Sequence, residues 1–182
     1  MDLQKLDFLT ILTLSVITEM LFLFSFRFTK LPFTGIPINR WYTNFQWTAI
    51  ILDILIIIIG FYLAKFVFNY LIENKYIKKY KEIYKNLFLF IIILLVIQIT
   101  HDILFYHLFI LKSKQGNNPI MDELNKYAKK VSFGAVIGDS SMYILSIIIF
   151  YLIRNSSNDI KTFLSVLSLY LIGYFIYQKP LK

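Results

Sequence analysis

Acidic side chains interrupt the longest apolar segments of this sequence. Glu19, Asp53, Asp102 and Asp139 each lie inside a different apolar run, and His101 directly precedes Asp102. An ionised carboxylate at the centre of a bilayer costs about 2.5–3.5 kcal/mol on insertion scales. Such residues therefore have to face the protein interior, pair with a partner or take up a proton. Carboxyl groups beside a histidine are also typical of proton relays and of general acid–base catalysis.

The four acids are expected at similar depths. If the apolar segments are helices that cross the membrane in alternating directions, all four carboxyls lie in one half of the bilayer. At about 1.5 Å per residue, they are roughly 9–15 Å from the same face. Gln98 and His101 share a compatible helix face with Asp102, and Ser140 directly follows Asp139. These residues predict one polar chamber, a candidate site for a ligand or a proton, near the face that carries the first and third connections.

Three roles are open for this predicted chamber. A structural polar network is one, because interhelical hydrogen bonds hold membrane bundles together by about 0.6 kcal/mol each on average. A binding site for a small ligand or cation, or a proton or cation pathway, is the second. The third is an intramembrane lipid-modifying enzyme with His101 and an acid as its acid–base pair, its other catalytic residues being unknown.

Residues for a metal or cofactor site are scarce. The chain has two histidines and no cysteine. It lacks the His-Glu-x-x-His and Glu-x-x-His spacings of zinc and di-iron centres. His101 and His107 are six residues apart, which turns them about 240° around a helix and away from a common site. We therefore expect neither a metal nor a cofactor.

The overall composition is that of a membrane protein. Of the 182 residues, 58% are hydrophobic and 16% are charged, and the mean hydropathy is +0.64. Soluble domains carry about 45–50% apolar and about 25% charged residues. The net charge of +8 comes mainly from lysines beside apolar runs, as in residues 74–86. There, lysines with interleaved tyrosines are typical of anchoring to anionic headgroups. We expect the lipid bilayer as the partner and no nucleic acid.

Five apolar segments are candidates for membrane-spanning helices. They lie at about 8–26, 47–69, 87–111, 132–153 and 162–178. The first contains Glu19 and lacks a signal-peptide cleavage pattern, so we expect a retained helix, whereas the last is short enough to be tilted or interfacial. Residues 119–130 follow Asn118, a helix N-cap, and Pro119 suits the first helical position. They predict a short amphipathic helix on the membrane surface. The predicted fold is a single all-α domain, 1–182, an integral membrane bundle of about five transmembrane helices.

Small residues predict close approaches between helices. Gly134 and Gly138 form a GxxxG pair directly before Asp139, and Gly60 belongs to a small-residue stripe in the second segment. Such residues let helix backbones come together in membranes. We expect these glycines to pack helices within the bundle or between copies in a homo-oligomer.

Residues 98–145 resemble a family of uncharacterised multi-pass membrane proteins of large nucleocytoplasmic DNA viruses. The resemblance is carried by "THDILFYH" and by "GNNPIMDELNKYAKKVSFGAVIGDSSM". Its residues here are His101, Asp102, Leu104, Phe105, Tyr106, Gly116, Asn118, Met121, Asp122, Tyr127, Ala128, Lys129, Gly138, Asp139, Ser140 and Met142. The Asn-rich turn "QGNNP" departs from the more basic turn of that family. The resemblance implies a virion internal membrane or host endomembrane location, with other viral membrane or capsid proteins as partners, and it transfers no catalytic role.

Overall fold

The computed structural model describes residues 5–29, 36–78 and 80–179 of the chain. These residues form seven helices and no strand, which confirms the predicted all-α fold. The helices are α1 (Phe8–Phe28), α2 (Ile36–Phe45), α3 (Trp47–Glu73), α4 (Ile83–Phe105), α5 (Pro119–Val131), α6 (Phe133–Ile153) and α7 (Asn158–Phe175). A π-helical turn, Tyr106–Ile110, extends α4.

Four of these helices are long and apolar enough to cross a membrane. They are α1, α3, α4 with its π-helical turn, and α6, of 21, 27, 28 and 21 residues. Their outward faces keep large apolar side chains exposed, such as Phe66 at 69% and Leu152 at 71%, as a lipid-facing surface requires. These four helices are consistent with an integral membrane protein. The fifth predicted segment forms α7, which begins with polar Asn158 and Asp159 and is not among the four, so its crossing stays a prediction.

Helix α1 occupies the centre of the bundle and packs against α3, α6 and α7. Half of the residues in its most apolar 18-residue stretch are buried inside the protein, compared with 22% in the corresponding stretch of α4. Its buried residues include an unusual number of polar side chains, namely Thr10, Thr13, Ser15, Thr18, Glu19 and Arg27. Because polar groups are unfavourable against lipid, this helix has to lie inside the bundle.

Two apolar clusters hold the helices together. One surrounds Phe61, Phe90 and Phe150 and joins α1, α3, α4 and α6. The other lies around Trp41, Tyr42 and related residues, and it joins α1, α2, α3 and α7. Partly buried Ile120 and Leu124 of α5 pack on this second cluster. Both short helices are therefore fixed to the bundle by apolar contacts.

The two short helices, α2 and α5, are called here the interfacial helices, and they pack against each other at one end of the bundle. As predicted, α5 starts with Pro119 after Asn118, whose side chain accepts hydrogen bonds from the backbone of Ile120 and Met121. Helix α2 was not predicted. An ion pair joins the two, since Arg40 Nε lies 3.1 Å from Glu123 Oε1.

The expected glycine packing is found at one of its three positions. A side chain at Gly60 would meet the Tyr143 ring of α6, with Cζ only 2.8 Å from the position of a Cβ atom. By contrast, no described atom lies within 4 Å of the corresponding position at Gly138. At Gly134 the nearest atom, 2.6 Å away, belongs to Val131, the last residue of α5. Within the described chain Gly138 therefore makes no close helix–helix contact, and packing of the Gly134–Gly138 pair between copies stays a prediction.

We predict that Gly60→Ala destabilises the bundle by about 1–3 kcal/mol, because overpacking displaces the Tyr143 ring and weakens its hydrogen bond to the Ile56 carbonyl. Gly138→Ala is the matched control. Because the space beside Gly138 is open, alanine there should be neutral or stabilising by up to about 1 kcal/mol through helix propensity. Thermal unfolding of both variants in detergent measures the difference. Equal stability of the two variants would contradict the packing described here.

Candidate functional site

Glu19 is the most deeply buried acid of the described chain. It has no exposed surface, and neither of its carboxyl oxygens has a hydrogen-bond partner among the described residues. The preceding residue, Thr18, uses its hydroxyl to contact Ser146 of α6 at 2.8 Å. The Glu19 carboxyl thus lacks, among the described residues, the hydrogen bonds that buried polar groups usually have.

The phenol of Tyr42 in α2 interacts electrostatically with Glu19 and Asp53. Tyr42 is 1% exposed. Its burial raises the pKa of the phenol well above the ordinary value, and the negative charges of Glu19 and Asp53 raise it further. The Tyr42 phenol therefore stays neutral beside the two acids. No described residue makes a hydrogen bond of ordinary geometry to the Glu19 oxygens.

Asp53 of α3 is held by the neighbouring residue of the same interfacial helix. Trp41 Nε1 donates a hydrogen bond of 3.1 Å to Asp53 Oδ2. Trp41 is buried, and Asp53 is half-buried. Since Trp41 and Tyr42 are adjacent in α2, this short helix provides one hydrogen-bond donor to Asp53 and one hydroxyl beside both acids.

Gln98 links Asp102 of its own helix, α4, to Ser140 of α6. Its amide nitrogen donates to Asp102 Oδ2, and its amide oxygen accepts a hydrogen bond of 2.9 Å from Ser140 Oγ. The side chain is 4% exposed. Both halves of the amide are therefore used, which is the arrangement expected of a structural hydrogen bond between helices.

Tyr127 of α5 interacts electrostatically with three of the acids. Burial raises the pKa of the Tyr127 phenol, and the negative charges of Asp139, Asp53 and Asp102 raise it further, in that order. Asp139 itself keeps an exposed surface and interacts electrostatically with Asp102 and Asp53. Between them, the two tyrosines of the interfacial helices interact electrostatically with all four acids. We call these four acids together with the two tyrosines the acidic chamber.

His101 lies at the margin of the acidic chamber. Its side chain is 42% exposed, and its Nδ1 lies 3.2 Å from Asp102 Oδ1 of the same helix. The imidazole stacks on the Phe105 ring, with 5.6 Å between centroids and 13° between planes. Among the described residues its acidic partner is thus its own neighbour, whereas the lipid-enzyme alternative requires an acid from another helix.

The chamber does not have the layout of a metal centre in the described part of the chain. No three His, Asp or Glu side chains there are placed to hold a metal ion. Two neutral donors, an indole N–H and an amide, hydrogen-bond to Asp53 and Asp102, and the phenol of Tyr42 interacts electrostatically with Glu19 and Asp53. This set suits carboxyl groups that exchange protons or meet a small organic cation.

The residues from interfacial helices were missed as members of the site. The sequence places Tyr127 on the apolar face of a predicted amphipathic helix and Trp41 at a membrane boundary, where both have an ordinary anchoring role. The sequence suggests the same anchoring role for Tyr42. One signal in the sequence could have indicated them. Trp41, Tyr42 and Tyr127 lie in the first and third connections, on the membrane face nearer the predicted acids, where the polar end of each ring can reach inward.

Comparison with known proteins gives no relative: no protein-family model, no curated protein and no solved structure matches this chain.

Substitution of the adjacent residues Ser140 and Ser141 tests the hydrogen bond from Ser140 to Gln98. We predict that Ser140→Ala destabilises the protein by about 1 kcal/mol, because it leaves the buried Gln98 oxygen without its donor. Among the described residues, the Ser141 hydroxyl bonds only to the Ile137 carbonyl of its own helix, so Ser141→Ala should change stability by less than about 0.5 kcal/mol. Thermal unfolding in detergent measures both. A cost at Ser141 equal to that at Ser140 would contradict the assigned hydrogen bond.

Proposed function

We propose that this chain is a multi-pass viral membrane protein whose acidic chamber takes up and releases protons. The observation that carries the proposal is Glu19, which is fully buried and unpaired in the described chain. Leaving an ionised carboxylate in such a place costs several kcal/mol, since no described residue supplies it with a hydrogen bond or a counter-charge. Holding a proton, or binding a cation, removes that cost.

The proton is favoured over a metal cation as the occupant. The described residues include no three-ligand metal set, and the hydrogen bond that holds Asp53 comes from a neutral indole N–H. A proton needs only one carboxyl oxygen and a neighbouring acceptor. Tyr42, whose raised pKa keeps its phenol neutral beside Glu19 and Asp53, can accept or donate at the same oxygen.

A purely structural network is the second role that an observation favours. Gln98 satisfies Asp102 and Ser140 together and ties α4 to α6. This half of the acidic chamber needs no ligand to be stable. We therefore assign the structural role to Gln98, Asp102 and Ser140, and the exchange of protons to the unsatisfied half around Glu19. The exposed His101 is favoured for neither role.

The viral part of the proposal is supported by the resemblance of residues 98–145 alone. It places the protein in a virion internal membrane or a host endomembrane, in contact with anionic lipid and with other viral membrane or capsid proteins. Fractionation of infected cells and purified virions tests this part. Recovery of the protein only from cellular membranes would leave the host endomembrane as its location.

The pH dependence of stability tests the assigned proton. If the folded chain keeps a proton on Glu19 that the unfolded chain releases above about pH 4.3, stability falls as pH rises. One such proton corresponds to a slope of about 1.4 kcal/mol per pH unit. We predict that the wild type loses stability between about pH 5 and about pH 8, and that Glu19→Gln, which imitates the protonated acid, flattens this slope.

Glu73→Gln is the matched control, because Glu73 is exposed at the end of α3. It should keep the wild-type slope. Thermal unfolding in detergent across this pH range measures all three proteins. Identical slopes for the wild type and Glu19→Gln would show that Glu19 holds no proton specific to the folded state, and the proposed function would fail.

A further inference from the structure

Each interfacial helix is joined to the long helix that follows it by a single residue. Gln46 alone separates α2 from α3, and Ser132 alone separates α5 from α6. The two joints have nearly the same backbone angles, φ 45° and ψ −122° at Gln46 and φ 49° and ψ −124° at Ser132. A positive φ is uncommon for residues with a side chain, and it persists only where the surrounding structure imposes it. The same unfavourable conformation therefore occurs at both places where an interfacial helix meets the bundle.

Helical hydrogen bonds run up to each joint. The Gln46 amide donates to the Tyr42 carbonyl at 3.0 Å, and the Gln46 carbonyl accepts from the Ile50 amide at 3.2 Å. The Ser132 amide donates to the Ala128 carbonyl at 2.8 Å. Sharp bends in helices usually occur at proline or glycine, and neither joint residue is of these types. A change of one residue to helical angles would therefore join the two helices on either side into one continuous helix.

Tertiary contacts hold the joints bent. Trp41 Nε1 donates to Asp53 Oδ2 at 3.1 Å across the Gln46 joint, and the Arg40–Glu123 ion pair joins α2 to α5. Trp41 and Asp53 are twelve residues apart in the sequence. In a continuous helix they would be about 18 Å apart along the axis. Straightening at Gln46 therefore breaks this hydrogen bond and carries Trp41 away from the acids.

We infer that the interfacial helices are a lid over the acidic chamber, with Gln46 and Ser132 as its hinges. The structure shows the closed state, in which the contacts of α2 and α5 keep both joints bent and Tyr42 is 1% exposed. In the open state both joints are helical, and the acids behind the lid meet water at the membrane surface. The inference goes beyond the proposed function, because it adds a gate that controls when water reaches Glu19, and it does not require Glu19 to hold a proton.

Tryptophan fluorescence reports the position of the lid. The chain has two tryptophans, of which Trp41 is 7% exposed and Trp47 is 36% exposed. A Trp47→Phe background leaves Trp41 as the only one. Quenching by acrylamide is then measured on the full chain in phosphatidylcholine nanodiscs, where both faces of the bilayer meet the buffer. Acrylamide quenches the indole of Trp41 weakly when the lid is closed and strongly when it is open.

Two double variants at the hinges differ only in their backbone preference. Alanine disfavours a positive φ and is the best helix former, so Gln46→Ala with Ser132→Ala favours the open state. Glycine accepts a positive φ, so Gln46→Gly with Ser132→Gly favours the closed state. Both native side chains are exposed and make no capping hydrogen bond. We expect the quenching constant of the alanine pair to be at least about twofold larger than that of the glycine pair.

The ion pair between the two helices gives a second test. Arg40→Gln removes the contact of Arg40 Nε with Glu123 and should raise the quenching of Trp41. Lys126→Gln is the matched control, because Lys126 Nζ lies 3.9 Å from the same carboxyl group but belongs to the same helix as Glu123. It should be quenched like the background protein. Thermal unfolding of each variant in detergent shows which of them retain the folded bundle.

Higher quenching in the folded alanine pair than in the glycine pair supports the lid. Equal quenching constants in the two pairs overturn it, because Gln46 and Ser132 are then fixed turns. A folded Arg40→Gln protein that is quenched like Lys126→Gln overturns it as well, since the contact between the interfacial helices then holds nothing closed. If Arg40→Gln does not fold, the two hinge pairs decide. The pH-dependent stability assigned to Glu19 has its own measurement, so the failure of one proposal is separate from the failure of the other.

Discussion

Glu19 is a carboxyl group in the middle of an apolar helix, with no exposed surface and with no hydrogen-bond partner in the described chain. The cost of exposing such a group to lipid determines where α1 has to lie, since only the interior of the bundle offers neighbouring hydroxyls. The other buried polar residues of α1 impose the same requirement. The central position of α1 between α3, α6 and α7 follows from this constraint.

The interfacial helices complete the site that α1 begins. Helix α2 brings Trp41 to Asp53 and Tyr42 to Glu19, while α5 brings Tyr127 to the remaining acids. The ion pair between Arg40 and Glu123 fixes the two helices to each other across the end of the bundle. Because Glu123 is buried at 7% exposure, loss of Arg40 would leave a poorly solvated charge at this contact.

Length and polarity made most of the fold predictable from the sequence. Segments of about 20 apolar residues have few alternatives to membrane helices, and the predicted 8–26 and 132–153 correspond to Phe8–Phe28 and Phe133–Ile153. Asn118 and Pro119 marked the start of α5 because an N-cap and an N-terminal proline act locally. The prediction that the acids lie toward one end of the bundle rests on the same kind of reasoning, namely their positions along helices of known rise.

Tertiary contacts determined what the sequence could not predict. Helices α2 and α5 both lead into the next helix through a residue with positive φ, Gln46 at 45° and Ser132 at 49°. Such a conformation is uncommon for residues other than glycine, and no local pattern indicates it. The open space beside Gly138 is likewise a property of how α6 packs rather than of the GxxxG spacing. Tyr42 and Tyr127 became part of the site through the same packing.

Infrared spectroscopy of the carboxyl groups tests the central claim most directly, because a protonated carboxyl has a carbonyl stretching band that a carboxylate lacks. The measurement compares wild-type protein with Glu19→Gln at neutral pH in lipid. If Glu19 holds a proton in the folded chain, the wild type shows this band and the variant loses it. A band of equal intensity in both proteins, or its absence from the wild type, would contradict a proton on Glu19.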